Sequence, residues 1–221
     1  MRTFSTPTPV SAVLVIPAGR VRFIAAGRAD TTVEVLPTDP AKSRDVKAAE
    51  QTSVTCDDGV LRITAPTPDN RFSGASGSLE VTVQLPVGSR VEGKADAAEL
   101  RVVGRLGDVT FEGAYRHIKI DEAAEVRLTA IDGDIEVGRL GGAAEITTTR
   151  GAIRVSEAQR GTVVLRTEAG DISVGAAAGV SAALDAATGY GRVSNALKND
   201  GTTTLRISAT TSRGDISARS L

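Results

Sequence analysis

A short phrase recurs down the second half of this chain: a glycine, most often an aspartate, then a β-branched residue, with apolar and polar positions alternating on either side. It reads Gly107-Asp108-Val109, Gly133-Asp134-Ile135, Gly151-Ala152-Ile153, Gly170-Asp171-Ile172, Gly191-Arg192-Val193 and Gly214-Asp215-Ile216, at glycine-to-glycine spacings of 26, 18, 19, 21 and 23 residues. A unit of about 20 residues is too small to bury its own apolar face and must stack on copies of itself.

Alignment on the glycine gives columns. Seven residues before it stand Leu100, Val126, Ala144, Val163, Leu184 and Ile207, and five before it Val102, Leu128, Ile146, Leu165, Ala186 and Ala209. Two after it come Val109, Ile135, Ile153, Ile172, Val193 and Ile216, the expected structural core, and four after it Phe111, Val137, Val155, Val174, Asn195 and Ala218. The position between the last two columns is polar: Thr110, Glu136, Arg154, Ser173, Ser194 and Ser217. Successive side chains of a strand point to opposite faces, so each repeat supplies two short half-buried strands. Between them lie the turn glycines Gly107, Gly133, Gly151, Gly170, Gly191 and Gly214, where a reversal demands a backbone that a Cβ disfavours.

Identical columns at one coil per period predict an all-β fold, a parallel β-solenoid (β-helix) of about six coils, one for each phrase. An antiparallel meander competes with it, but does not need the same core column at the same offset in every repeat. Three residues before the glycine, Thr148, Thr167, Thr188 and Thr211 point inward beside the turn, where their hydroxyls need partners and are read as structural.

Residues 1–95 are less regular and read as an irregular N-terminal β region that caps, and is continuous with, the repeat solenoid of 96–221. Strands are expected at Val10–Ile16, Arg20–Ala25, Thr31–Leu36, Thr52–Cys56, Val60–Ala65 and Ser78–Leu85, with a short helix over Ala41–Glu50. Asp57-Asp58-Gly59 marks a hairpin turn, and Pro66 to Gly77 a polar loop, the most mobile interior segment expected. Aromatic content of 3% with no Trp suits a thin stacked core of small side chains.

Chemistry is scarce. The net charge of −1 comes from interleaved acids and bases without a basic stripe, which argues against nucleic acid. Calcium-binding β-rolls carry one Asp per nonapeptide, whereas here there is one per coil, and Ala152 and Arg192 interrupt the column, Arg192 being placed by sequence order between Asp171 and Asp215. No metal or cofactor is therefore expected. Cys56, alternating with Val54, reads as an inert core thiol, and His117 as a surface residue without partners for catalysis or metal binding. No catalytic residues are assigned. The run from Val10 to Ile16 is too short for a membrane span and no signal peptide precedes it, so a soluble cytoplasmic protein is expected.

The chain resembles the bacterial β-strand-repeat family of unknown function often labelled putative adhesins, of actinobacterial type. The resemblance is carried by Val33 to Pro37, Asp57-Asp58-Gly59-Val60-Leu61 with Ala65-Pro66, Leu85-Pro86-Val87-Gly88-Ser89, and most specifically Ala183 to Val193 and Thr210 to Ile216. It implies a β-solenoid with no established activity, cofactor or catalytic residues.

The leading functional expectation is a non-enzymatic binding or scaffold module presenting side chains at fixed intervals to a protein partner. Self-assembly in the style of cytoskeletal β-helix polymers is the alternative, and a carbohydrate-active β-helix enzyme is disfavoured by the few aromatics. With the final coil, Thr203–Ala209 and Ile216–Ala218, expected to end the stack, the protein is a monomer or a weak homodimer through that C-terminal coil, guarded by Arg206, Arg213 and Arg219.

Overall fold

The computed structural model describes residues 1–66, 77–114 and 116–221. The chain is all-β with an open sheet, and it divides into two compact units, Met1–Tyr115 and Arg116–Leu221. No helix among the described residues is long and apolar enough to cross a membrane.

The first unit contains β1 (Arg2–Ser5), β2 (Ser11–Ala26), β3 (Asp30–Pro37), α1 (Ser43–Gln51), β4 (Ser53–Asp57), β5 (Val60–Thr64), β6 (Ser78–Pro86) and β7 (Arg90–Ala114). The two strands expected at Val10–Ile16 and Arg20–Ala25 are one. Gly19, at φ +136°, bends β2 without releasing it from β7, to which it runs parallel from Ser11↔Arg90 to Ile24↔Val103. On its other side β2 pairs in parallel with β5 and then β6. Antiparallel strands flank this parallel centre, β4 on β5, β3 on β6 and β1 on β3. The β4–β5 hairpin closes through Asp58 and Gly59, both at positive φ, as a two-residue primed turn requires. Helix α1 is tied to β6 by the buried Asp45 carboxylate, which accepts the Ser78 N–H at 3.0 Å. Most of the loop expected from Pro66 to Gly77 lies outside the described residues. Gly107 is not a turn residue: it sits inside β7, and glycine is needed because a Cβ would come 2.8 Å from the Gly88 carbonyl oxygen.

The second unit contains β8 (Ile118–Asp132), β9 (Ile135–Leu140), β10 (Ala144–Arg150), β11 (Ile153–Ala158), β12 (Gly161–Ala169), β13 (Ile172–Ala176), β14 (Ala182–Tyr190), β15 (Val193–Ala196), β16 (Leu205–Arg213) and β17 (Ile216–Ser220). They form two parallel runs. One is the second half of β8, then β10, β12, β16 and β14; the other is the first half of β8, then β9, β11, β13, β17 and β15. The columns are in register, with Ile146 between Leu128 and Leu165 and Ile153 between Ile135 and Ile172, which excludes the meander here.

Stack order departs from sequence order. The C-terminal coil β16–β17 lies between β12–β13 and β14–β15, so it does not end the stack, and Arg206 and Arg213 guard no edge. Connection lengths follow this path. A step of one coil takes 141–143 or 159–160, the jump from β13 over one coil to β14 takes 177–181, and the return from β15 to β16 takes 197–204.

The expected core residues Val109, Ile135, Ile153, Ile172 and Ile216 are at most 1% exposed. Val193 is the correction: it is 47% exposed, because β15 is the outer strand and pairs only with β17 among the described strands. At the turns the glycine column stacks so closely that a Cβ on Gly151 would collide with the Gly133 carbonyl oxygen, and one on Gly214 with that of Gly170. Three of the four inward threonines bind carbonyls of this glycine column, while Thr148 donates to the Arg150 carbonyl of its own coil at 3.2 Å. Thr167 donates to Gly151 at 3.1 Å, Thr211 to Gly170 at 3.1 Å and Thr188 to Gly214 at 2.9 Å, each reaching the neighbouring coil.

Replacing Ile172 with Asp should destabilise the fold by about 3–5 kcal/mol or more, since it buries an unpaired carboxylate. Ser173→Asp, on the opposite face, should change stability by no more than about 0.5 kcal/mol. Gly151→Ala, at φ +134° with a carbonyl in the way, should cost about 2 kcal/mol or more. Chemical denaturation of the three variants checks the register.

Candidate binding face

The aspartates of the repeat are occupied by the backbone. Asp134 accepts the N–H of Ala152, Asp171 that of Asp215, and Asp215 that of Arg192, each at 2.8 Å. In stack order the column reads Asp134, Ala152, Asp171, Asp215, Arg192, so Arg192 lies outside Asp215 rather than between it and Asp171. The Arg192 N–H, then its guanidinium at 3.1 Å, hold the Asp215 carboxyl below the usual carboxylate range. In the first unit Asp108 faces Arg90 at 3.3 Å. Among the described residues no three His, Cys, Asp or Glu side chains are grouped as a metal site would need.

Cys56 is half-buried on β4 opposite Leu61, and burial, followed by the charge of Asp57, pushes its thiol up, away from the reactive thiolate. His117 is partly buried beside Ile118. Near it Lys119 binds Glu136 at 2.9 Å and holds that carboxyl low, with the charges of His117 and Arg154 acting in the same direction.

The outer face of the β9–β11–β13–β17–β15 run changes character along the stack. At the β8 end cross-strand ion pairs neutralise it: Lys119 with Glu136, and Arg139 between Glu122 and Glu157 at 3.6 and 3.5 Å. Beyond β11 the carboxylates stop. Ser173, Ser217 and Ser194 stand in register on β13, β17 and β15, and Arg219 lies beside Gly175, which has no side chain to fill the space between them. The result is an open depression of about 430 Å³ between Arg154, Ser156, the three serines and Arg219. Both guanidiniums are exposed, and neither has an ion-pair partner among the described residues. Hydroxyls and guanidiniums offer many donors to a carboxylate-bearing ligand. Sequence order hides part of this face, because Arg219 meets Gly175 only through the displaced position of β17.

The Toastrack DUF4097 family model matches residues 18–220. The chain belongs to this family. Solved structures similar to this Toastrack chain include a putative adhesin from Bacteroides fragilis, 14% identical with a TM-score of 0.47 over 98% of this chain and 95% of that one. A putative lipid binding protein from Parabacteroides distasonis is 12% identical with a TM-score of 0.48, over 98% and 95% of the two chains. A putative cell adhesion protein from Clostridium sporogenes is 12% identical with a TM-score of 0.35, over 100% and 98%. No curated protein matches the chain.

In this Toastrack chain calcium or a chelator should leave the melting temperature unchanged, since the aspartates already serve backbone N–H groups; a calcium-dependent rise of about 5 °C, corresponding to roughly 1 kcal/mol of linkage, would contradict this. The depressed Asp215 carboxyl contributes stability above its unfolded value, on the order of pH 4, and that contribution is lost as pH falls through the lower folded value. Asp215→Asn keeps an acceptor for Arg192 but loses the charge. Melting curves against pH should therefore show the variant below the parent at neutral pH, with the gap closing in acid.

Proposed function

We propose that this chain is a non-enzymatic, adhesin-like binding scaffold whose serine–arginine depression docks an acidic segment of a protein partner. The observation that carries this reading is the pair of exposed guanidiniums that form no ion pair among the described residues, Arg219 between Gly175 and Ala196, and Arg154 beside Glu136, whose carboxylate Lys119 holds, on a face where the neighbouring cations are paired. Such charges cost nothing to expose and gain most when a partner supplies the missing anions, so they set specificity and encounter rate. The serines between them are fixed by parallel strands about 4.8 Å apart, a spacing that presents repeated donors to an extended chain. None of these serines neighbours a histidine, and the depression holds no acid pair, so its chemistry suits recognition rather than bond cleavage.

A fluorescent glutamate-rich peptide titrated at low salt checks the reading. Arg154→Ala with Arg219→Ala should weaken binding about tenfold or more while leaving the melting temperature unchanged, and added salt should weaken the parent in the same way. Equal binding by parent and double variant would reject this face as the docking site.

A further inference from the structure

The coil β16–β17 occupies a slot between two coils that precede it in sequence. Its apolar residues Leu205, Ile207, Ala209, Ile216 and Ala218 are at most 2% exposed, and both of its strands are paired on both sides. The wall beyond it is different. β14 and β15 pair only with β16 and β17 among the described strands, and Tyr190 and Val193 are 78% and 47% exposed. Opening the slot uncovers the buried apolar residues of β16–β17 and of the β12–β13 wall, Val163, Leu165 and Ile172 among them, and only a segment of matching pattern covers them again.

The connection into the slot is long. A step of one coil elsewhere takes 159–160 or 141–143, yet the return from β15, also one coil, takes 197–204. This segment is polar, almost wholly exposed, and passes over the 177–181 connection, to which a latch holds it: the Ser181 carbonyl accepts the N–H groups of Thr204 and Leu205 at 3.0 and 3.2 Å, and the Ser181 hydroxyl accepts that of Asp200 at 3.1 Å. These latch contacts are local to the connection. The contacts that hold β16–β17 in place are not, and they would be the same whichever copy supplied the segment.

We propose that the slot between β12–β13 and β14–β15 accepts the β16–β17 segment of a second copy of this chain, giving a reciprocal, strand-exchanged dimer. The slot selects this occupant over a generic β-strand because filling it takes two strands joined at a glycine. A threonine must reach the Gly170 carbonyl, as Thr211 does, and an aspartate must bridge from Asp171 to the Arg192 N–H, as Asp215 does. Reciprocal exchange closes on itself and leaves no free slot. The proposal does not depend on the serine–arginine depression, and its test uses residues on the other run of strands.

Ala187 and Thr210 are exposed neighbours on β14 and β16. Two full-length chains lacking Cys56, one Ala187→Cys with a size tag and one Thr210→Cys without it, are mixed at high concentration, incubated and then oxidised. Exchange places the two thiols on facing strands of different chains, so a disulfide between tagged and untagged chains is expected on a non-reducing gel. A control pair, Thr129→Cys and Thr147→Cys on β8 and β10, should give none above background. A deletion variant without residues 198–203 keeps only Leu197 and Thr204 between β15 and β16 and loses the length that carries the connection past 177–181, so light scattering should show its mass doubled with the circular dichroism of the parent. No mixed disulfide above the control overturns the proposal. So does a folded monomer of the shortened chain, and so does an open-ended series of oligomers, which would assign the outer edge of β14–β15 to polymerisation instead.

Discussion

Everything in the second unit depends on how closely one coil can approach the next at its turns. The glycine column sets that distance, because each glycine carbonyl lies where the neighbouring residue's Cβ would stand. Once the turns are this close, the carbonyl and N–H groups there lose room for water and need partners from the protein. The inward threonine supplies a donor to the carbonyl and the aspartate an acceptor for the N–H, each from an adjacent coil. Glycine, threonine and aspartate thus form one device, and no buried side-chain polar atom is left unsatisfied among the described residues.

Strand pairing then passes this spacing on to both faces. Inside, β-branched and small residues stack in register, which explains how a core can form with so few aromatic rings. Outside, the same register brings unlike charges opposite one another at the β8 end and hydroxyls opposite hydroxyls at the other. The depression is a product of that second pattern together with the bare backbone at Gly175.

Period-two alternation and the glycine columns made the strands, the parallel stacking and most of the core readable from residues alone. Ile135, Ile153 and Ile172 illustrate why: each has a like neighbour on both sides, so column and environment agree. Val193 carries the same sequence signature but no outer neighbour, and a column cannot report where a stack ends. The displaced coil was hidden for the same reason, since β14 and β16 present interchangeable apolar offsets. One trace of it was visible in the longer spacings around Gly191 and Gly214, which accommodate the 177–181 and 197–204 connections. In the first unit, Pro17 and Gly19 looked like a strand break, yet a strand can bend through a left-handed glycine and stay paired. The serine–arginine depression was equally indirect: Arg219 is far in sequence from Gly175 and becomes its neighbour only through the strand order.

The out-of-order coil also bears on how the chain is made. A solenoid whose coils follow sequence can be completed from one end as it leaves the ribosome, each coil resting on the one before. Here β14 and β15 emerge before the strands they rest on, so they must either wait unpaired or settle first on β12 and β13 and later give way. The stack is thus complete only once β16 and β17 have reached the place between β12–β13 and β14–β15, so the strands made last are the ones that fix the position of those made before them.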